Sequence, residues 1–100
     1  MERTRLAFDR YFDVVMETDE AQAAEMTIES GRAVGGPENY HAESDQWLFV
    51  VSGTGVATVD GEENRLAAGD LLRIEAGERH EIENDGDGPL ETVNVYTPPR

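Results

Sequence analysis

Residues 35–55 read GGPENYHAESDQWLFVVSGTG, and the run QWLFVVS at 46–52 is the strongest apolar segment in the chain. Its length and its β-branched and aromatic content mark it as a strand rather than a helix. On a strand, Gln46, Leu48 and Val50 share one face, and Trp47, Phe49 and Val51 share the other. Both faces are largely apolar, so both need cover. One face can line a barrel interior. The other needs a second layer, either the chain's own N-terminal strand or another subunit. Gln46 opens the strand on the interior parity, so its amide needs a hydrogen-bond partner there.

Working outward, short β-rich runs alternate with glycine, Asp and Asn punctuation. Downstream come GVATVD, ENRLA, DLLRIE, HEIEN and ETVNVY; upstream come YFDVVME and AAEMTIES. Asp60–Gly61 suits a two-residue type I′ hairpin turn between the first two downstream runs. About eight strands with regular turn signals predict an all-β antiparallel sandwich or barrel. Residues 1–10 fit a strand, a helical turn or an arm. No linker or repeat divides the chain, so a single domain over 1–100 is expected.

Composition narrows the chemistry. The chain has 100 residues and no cysteine, which excludes disulfides, thiolate ligation and a cysteine nucleophile. Asp and Glu number 22 against 8 basic residues, for a net charge of −14. All the basic residues are Arg. So acidic a chain does not suit nucleic acid or anionic membranes, which need basic patches. The acidity and the missing Lys suit a salt-rich cytoplasm, and a halophile's protein is expected. There is no membrane-length apolar run and no signal-peptide pattern, so a cytoplasmic protein is expected. A core this small, with a doubly apolar central strand, predicts a homodimer.

Two stretches carry a resemblance. Residues 35–55 resemble the first motif of the cupin superfamily, and GDLLRIEAGERHEIEN at 69–84 resembles the second. The first motif runs Gly, five residues, His-x-His, three or four residues, Glu, six residues, Gly. Counting back from Gly53 puts Gln46 at the Glu position, His41 at the second His and Asn39 at the first. In the second motif Gly69, Gly77, His80 and Asn84 match in spacing, while Glu75 stands where Pro is usual. The chain looks like a small single-domain cupin of the conserved-barrel type. The resemblance implies an antiparallel jelly-roll barrel, which agrees with the strand count.

The resemblance also implies a divalent metal (Fe, Mn, Ni or Zn) inside the barrel. Carried over position by position, its ligands would be Asn39, His41, Gln46 and His80. Two of these are neutral amides, so the site lacks the family's anionic Glu. Glu43, two residues after His41, offers a carboxylate if its loop turns inward; with His41 and His80 it would make a two-His-one-carboxylate set. Three readings stay open. The first is a metal-dependent enzyme of dioxygenase or isomerase type acting on a small organic molecule, with no residue assigned a catalytic role. The second is a metal-free small-molecule binder or sensor, anchored by His41, Gln46, His80 and Tyr96. The third is a homodimeric domain with a vestigial site. Arg73 and Arg79 are read as surface ion-pair residues in preference to the alternative, that an Arg near the barrel mouth holds an anionic ligand's carboxylate or phosphate.

Overall fold

The computed structural model describes residues 1–36 and 43–100. Nine strands form among them: β1 (Phe12–Glu17), β2 (Gln22–Ile28), β3 (Ala33–Gly36), β4 (Asp45–Ser52), β5 (Thr54–Val59), β6 (Glu62–Ala67), β7 (Leu71–Ile74), β8 (His80–Glu83) and β9 (Leu90–Thr97). Eight of the nine coincide with the runs expected from sequence. The addition is β3, whose AVGG lacks the alternation that marks a strand. It forms because β8 offers it a partner edge, with Val34 opposite Ile82 and Gly36 opposite His80.

Two antiparallel sheets face one another. One has the order β1-β2-β9-β4-β7, the other β3-β8-β5-β6. Inward residues from both build the core: Met26, Ile28, Leu48, Val50, Ala57, Leu66, Ile74, Ile82 and Leu90. The expected parity of β4 holds. Gln46, Leu48 and Val50 are buried, whereas Trp47, Phe49 and Val51 remain 40–41% exposed. The chain's own β1 does not cover that outer face, because it lies at the edge of the same sheet beyond β2.

Turn chemistry sets the register. Asp60 and Gly61 both take positive φ (48° and 83°), and Val59 sits opposite Glu62, as a type I′ hairpin requires. Gly55 is needed for room: a Cβ there would lie 2.6 Å from the Glu83 carbonyl oxygen. The buried Asn84 closes the second motif as a clamp. Its Nδ2 donates to the carbonyls of Ile28 and Gly88, both at 2.8 Å, and its Oδ1 accepts from Gly86 N at 2.9 Å.

Residues 1–10 form no strand or helix. The backbone N–H groups of Ala7 and Phe8 donate to one carboxylate oxygen of Glu25 at 3.1 and 3.3 Å. Glu25 is on the outward parity of β2, yet it is 1% exposed, because this segment lies over it. The arm therefore covers the β2 side of the outer face and leaves the β4 side open.

Candidate functional site

The two sheets bring three of the expected residues to one end of the barrel. Gln46 on β4 and Tyr96 on β9 are direct cross-strand partners. His80, the first residue of β8, faces them from the other sheet. All three are buried, at 2%, 2% and 5% exposure. They do not fill the space between them. A cavity of about 290 Å³ opens there, lined also by Tyr11, Phe12 and Arg100 on its rim and by Met26, Val34 and Ile82 within.

A buried hydrogen-bond relay fixes the Gln46 amide. Its Nε2 donates to Asn94 Oδ1, Asn94 Nδ2 donates to Thr92 Oγ1, and Thr92 Oγ1 donates to the Met26 carbonyl, each at 2.9 Å. Asn94 and Thr92 are fully buried on the inward face of β9. Gln46 thus finds in Asn94 a partner that its parity demanded. That bond uses one of the two Nε2 hydrogens and fixes the orientation of the carboxamide.

His80 Nδ1 lies 3.4 Å from the Glu78 carbonyl oxygen. With the ring proton on Nδ1, Nε2 is the acceptor. Burial pushes the His80 pKa below its ordinary value; the Glu78 carbonyl acts in the opposite sense, and the Arg100 guanidinium adds to the lowering. Burial also raises the Tyr96 pKa, opposed by Arg100. At neutral pH the site therefore presents a neutral imidazole, a carboxamide and a protonated phenol.

Arg100 is the residue that the sequence patterns did not mark. Its Cζ lies 4.5 Å from the Phe12 ring centroid and 4.8 Å from that of Tyr96. No local signal could have found it, since the contact joins β1, β9 and the segment after β9. The two arginines singled out from sequence lie elsewhere. Arg73 pairs with Asp45 and Glu75 at 3.3 and 3.4 Å and lies over Trp47 on the outer face. Arg79 is exposed and lies outside the cavity lining.

The expected metal ligands separate into groups. Asn39 and His41 lie outside the described residues. Glu43 is exposed and does not line the cavity. Among the described residues, no cluster of three His, Asp or Glu side chains is placed to hold a metal ion. The described donors at the cavity, His80 and Gln46, are both neutral, and a guanidinium shares the space. These two described donors do not by themselves make up a dication site, and the sequence puts an amide, Gln46, at the family's anionic Glu position. A larger cleft of about 530 Å³ lies outside the barrel, between the arm and the β2–β3 connection, lined by Asp9, Arg10, Glu29 and Arg32. It holds charges of both signs and none of the groups that converge in the barrel.

The model of the cupin domain family matches residues 24–96, which include both motifs and the strands that carry Gln46, His80 and Tyr96. The chain is a cupin. This cupin is 41% identical over 61 residues to the tetracenomycin polyketide synthase protein TcmJ of Streptomyces glaucescens, covering 61% of this chain and 41% of that one. It spans less than half the length of the curated relatives that it matches. Among solved structures, a Bacillus halodurans protein superposes with a TM-score of 0.85 at 25% identity, covering 90% of this cupin and 71% of that chain. A predicted oxalate decarboxylase from Thermotoga maritima superposes with a TM-score of 0.79 at 25% identity, covering 88% and 79%. No helix among the described residues is long and apolar enough to cross a membrane.

Proposed function

We propose that this cupin binds a small organic molecule in the barrel cavity without a resident metal. The anchors are His80 Nε2, the Gln46 carboxamide and the Tyr96 hydroxyl. One observation carries the reading: a cavity of about 290 Å³ inside the barrel is lined by three buried polar side chains together with apolar walls, the mix that a small-molecule site uses. Names among the relatives, a polyketide synthase protein and a predicted oxalate decarboxylase, lend support to a small organic ligand. No chemical step is assigned, since among the described residues the cavity offers neither a carboxylate base nor a lysine.

The test is elemental analysis of protein purified without chelator or metal-affinity resin, followed by small-molecule screening before and after EDTA treatment. The expected result is Mn, Fe, Co, Ni, Cu and Zn well below one ion per chain, with binding unchanged by EDTA. A stoichiometric ion that is lost in His80→Ala would overturn the metal-free reading and restore the metal-dependent one.

We also propose that a second copy of the chain covers the outer face of β4. Trp47, Phe49, Val51 and Leu71 form an exposed apolar patch there, with 63% of Leu71 accessible. Direct cross-strand pairing extends the patch through Val93 and Val95 of β9. The arm covers only the neighbouring β2 side. Arg73 and Glu91 border the patch with opposite charges, so a two-fold contact can set apolar against apolar and match its own rim.

A further inference from the structure

Arg100 has a setting that none of the other arginines shares. It is the only described residue lining the barrel cavity with a formal charge at neutral pH. The chain carries 22 carboxylates, yet none of the described residues lining that cavity is Asp or Glu. Arg65 and Arg73 are both taken up in ion pairs, with Asp85 and with Asp45 and Glu75. Among the described residues no carboxylate is placed to do the same for Arg100.

The guanidinium is nevertheless held in place. The Phe12 and Tyr96 rings, with centroids 6.5 Å apart and planes inclined at 51°, both lie within 5 Å of its Cζ. Contact with ring faces holds a cation without using any of its N–H donors. The planar fork of donors stays available, and it matches a carboxylate in a bidentate arrangement. Beside it lie the neutral hydrogen-bonding groups of His80, Gln46 and Tyr96, and beyond them the apolar walls of Met26, Val34 and Ile82. The cavity is thus graded from a cationic rim to an apolar interior, within a protein whose net charge is −14. Its long-range field repels anions, so a local guanidinium is what would admit one.

We propose that Arg100 is the anchor for a carboxylate group, and that the cavity's ligand is a small monocarboxylic acid with an apolar body. This rests on the small-molecule reading above and adds the ligand's charge and polarity to it. The acid's oxygens meet the Arg100 fork at the mouth. Its body extends inward between Tyr96 and Ile82, with any further polar group meeting His80 or Gln46.

The experiment uses a set of aromatic and aliphatic carboxylates, each matched with its own primary amide, together with inorganic phosphate. Binding to the wild type, Arg100→Gln and Arg100→Lys is followed by NMR on the His80 and Tyr96 ring signals at constant chloride. The wild type is expected to bind the preferred acids about tenfold tighter than their amides, as a charge-assisted pair predicts. Arg100→Gln is expected to remove that preference, weakening the acids far more than their amides; Arg100→Lys, which keeps the charge but not the fork, retains part of it. Phosphate is expected to bind more weakly than the acids, since it has no apolar body. Equal binding of acids and amides by the wild type, an undiminished preference in Arg100→Gln, or phosphate binding as tight as the acids overturns the carboxylate assignment and leaves the cavity reading standing. If no acid or amide moves the His80 or Tyr96 signals, both are overturned.

Discussion

Gln46 Nε2 donates to Asn94 Oδ1 at 2.9 Å in the fully buried interior of the barrel. The bond gives a structural reason for an amide where the family's first motif has a carboxylate. A carboxylate at 46 is acceptor-only and would face the Asn94 oxygen. To answer it, Asn94 would have to turn its Nδ2 toward 46 and accept from Thr92, and the Met26 carbonyl would then lose its side-chain donor. The relay needs a donor at its head.

Gln46→Glu is therefore expected to destabilise the fold by about 1–3 kcal/mol at neutral pH. The loss should shrink in mild acid, where the protonated carboxyl again donates an O–H. Urea unfolding of both proteins at the two pH values checks this. A Gln46→Glu variant as stable as the wild type at neutral pH would contradict the relay.

His80 makes a second prediction, with its sign set by burial. Its folded pKa lies below the ordinary 6.5, so the unfolded chain takes up the proton first as pH falls. Its effect on stability is nil well above 6.5. Stability is then lost as pH drops from 6.5 toward the folded pKa, and the loss levels off below it. Among the described residues, the charged groups acting on the ring are Arg100, which lowers the pKa, and Glu78, which raises it. NMR titration of His80 should give a midpoint below 6.5, moving upward in Arg100→Gln. The difference in unfolding free energy between wild type and His80→Gln should vary with pH across that window and be constant above it.

Much of the barrel is legible in local patterns. The period of two in β4 is enough to separate Gln46 from Trp47, and Asp60–Gly61 names its own turn. What could not be read depends on distant partners. The short, glycine-rich β3 is a strand only because β8 pairs with it. Asn94 looks like an ordinary strand polar residue until β4 is laid beside β9. Arg100 becomes a cavity residue only when β1 and β9 place Phe12 and Tyr96 together. Glu43 shows the converse: two positions from a motif histidine, it is exposed, as most carboxylates in so acidic a chain are.

The outer face of β4 gives a third prediction. Trp47 and Phe49 are each about two-fifths exposed at the middle of the apolar patch, and neither supports the core from inside. Phe49→Glu should leave the monomer folded but place a charge against its symmetry mate across the proposed two-fold contact. Light scattering in high salt is expected to give a dimer for the wild type and a monomer for Phe49→Glu, with unchanged circular dichroism. A wild type that runs as a monomer at all accessible concentrations would remove the second copy from that face.

Salt should act on fold and dimer in the same direction. A net charge of −14 on 100 residues repels itself within one chain and again between two. At about 0.1 M ionic strength the Debye length is about 10 Å, comparable with the spacing of surface carboxylates; at about 1 M it falls to about 3 Å and most of that repulsion is screened. Three ion pairs among the described residues, Arg65–Asp85, Arg73–Asp45 and Arg73–Glu75, are weakened by salt, and all are partly exposed and so contribute little. Repulsion should therefore dominate. The unfolding midpoint is expected to rise steadily from low salt to molar salt, and the dimer's dissociation constant to fall over the same range. Thermal unfolding and light scattering across a NaCl series measure both. A midpoint that is flat or falls with salt would mean that the acidic surface is spaced widely enough to be harmless, and the composition would no longer argue for a salt-rich setting.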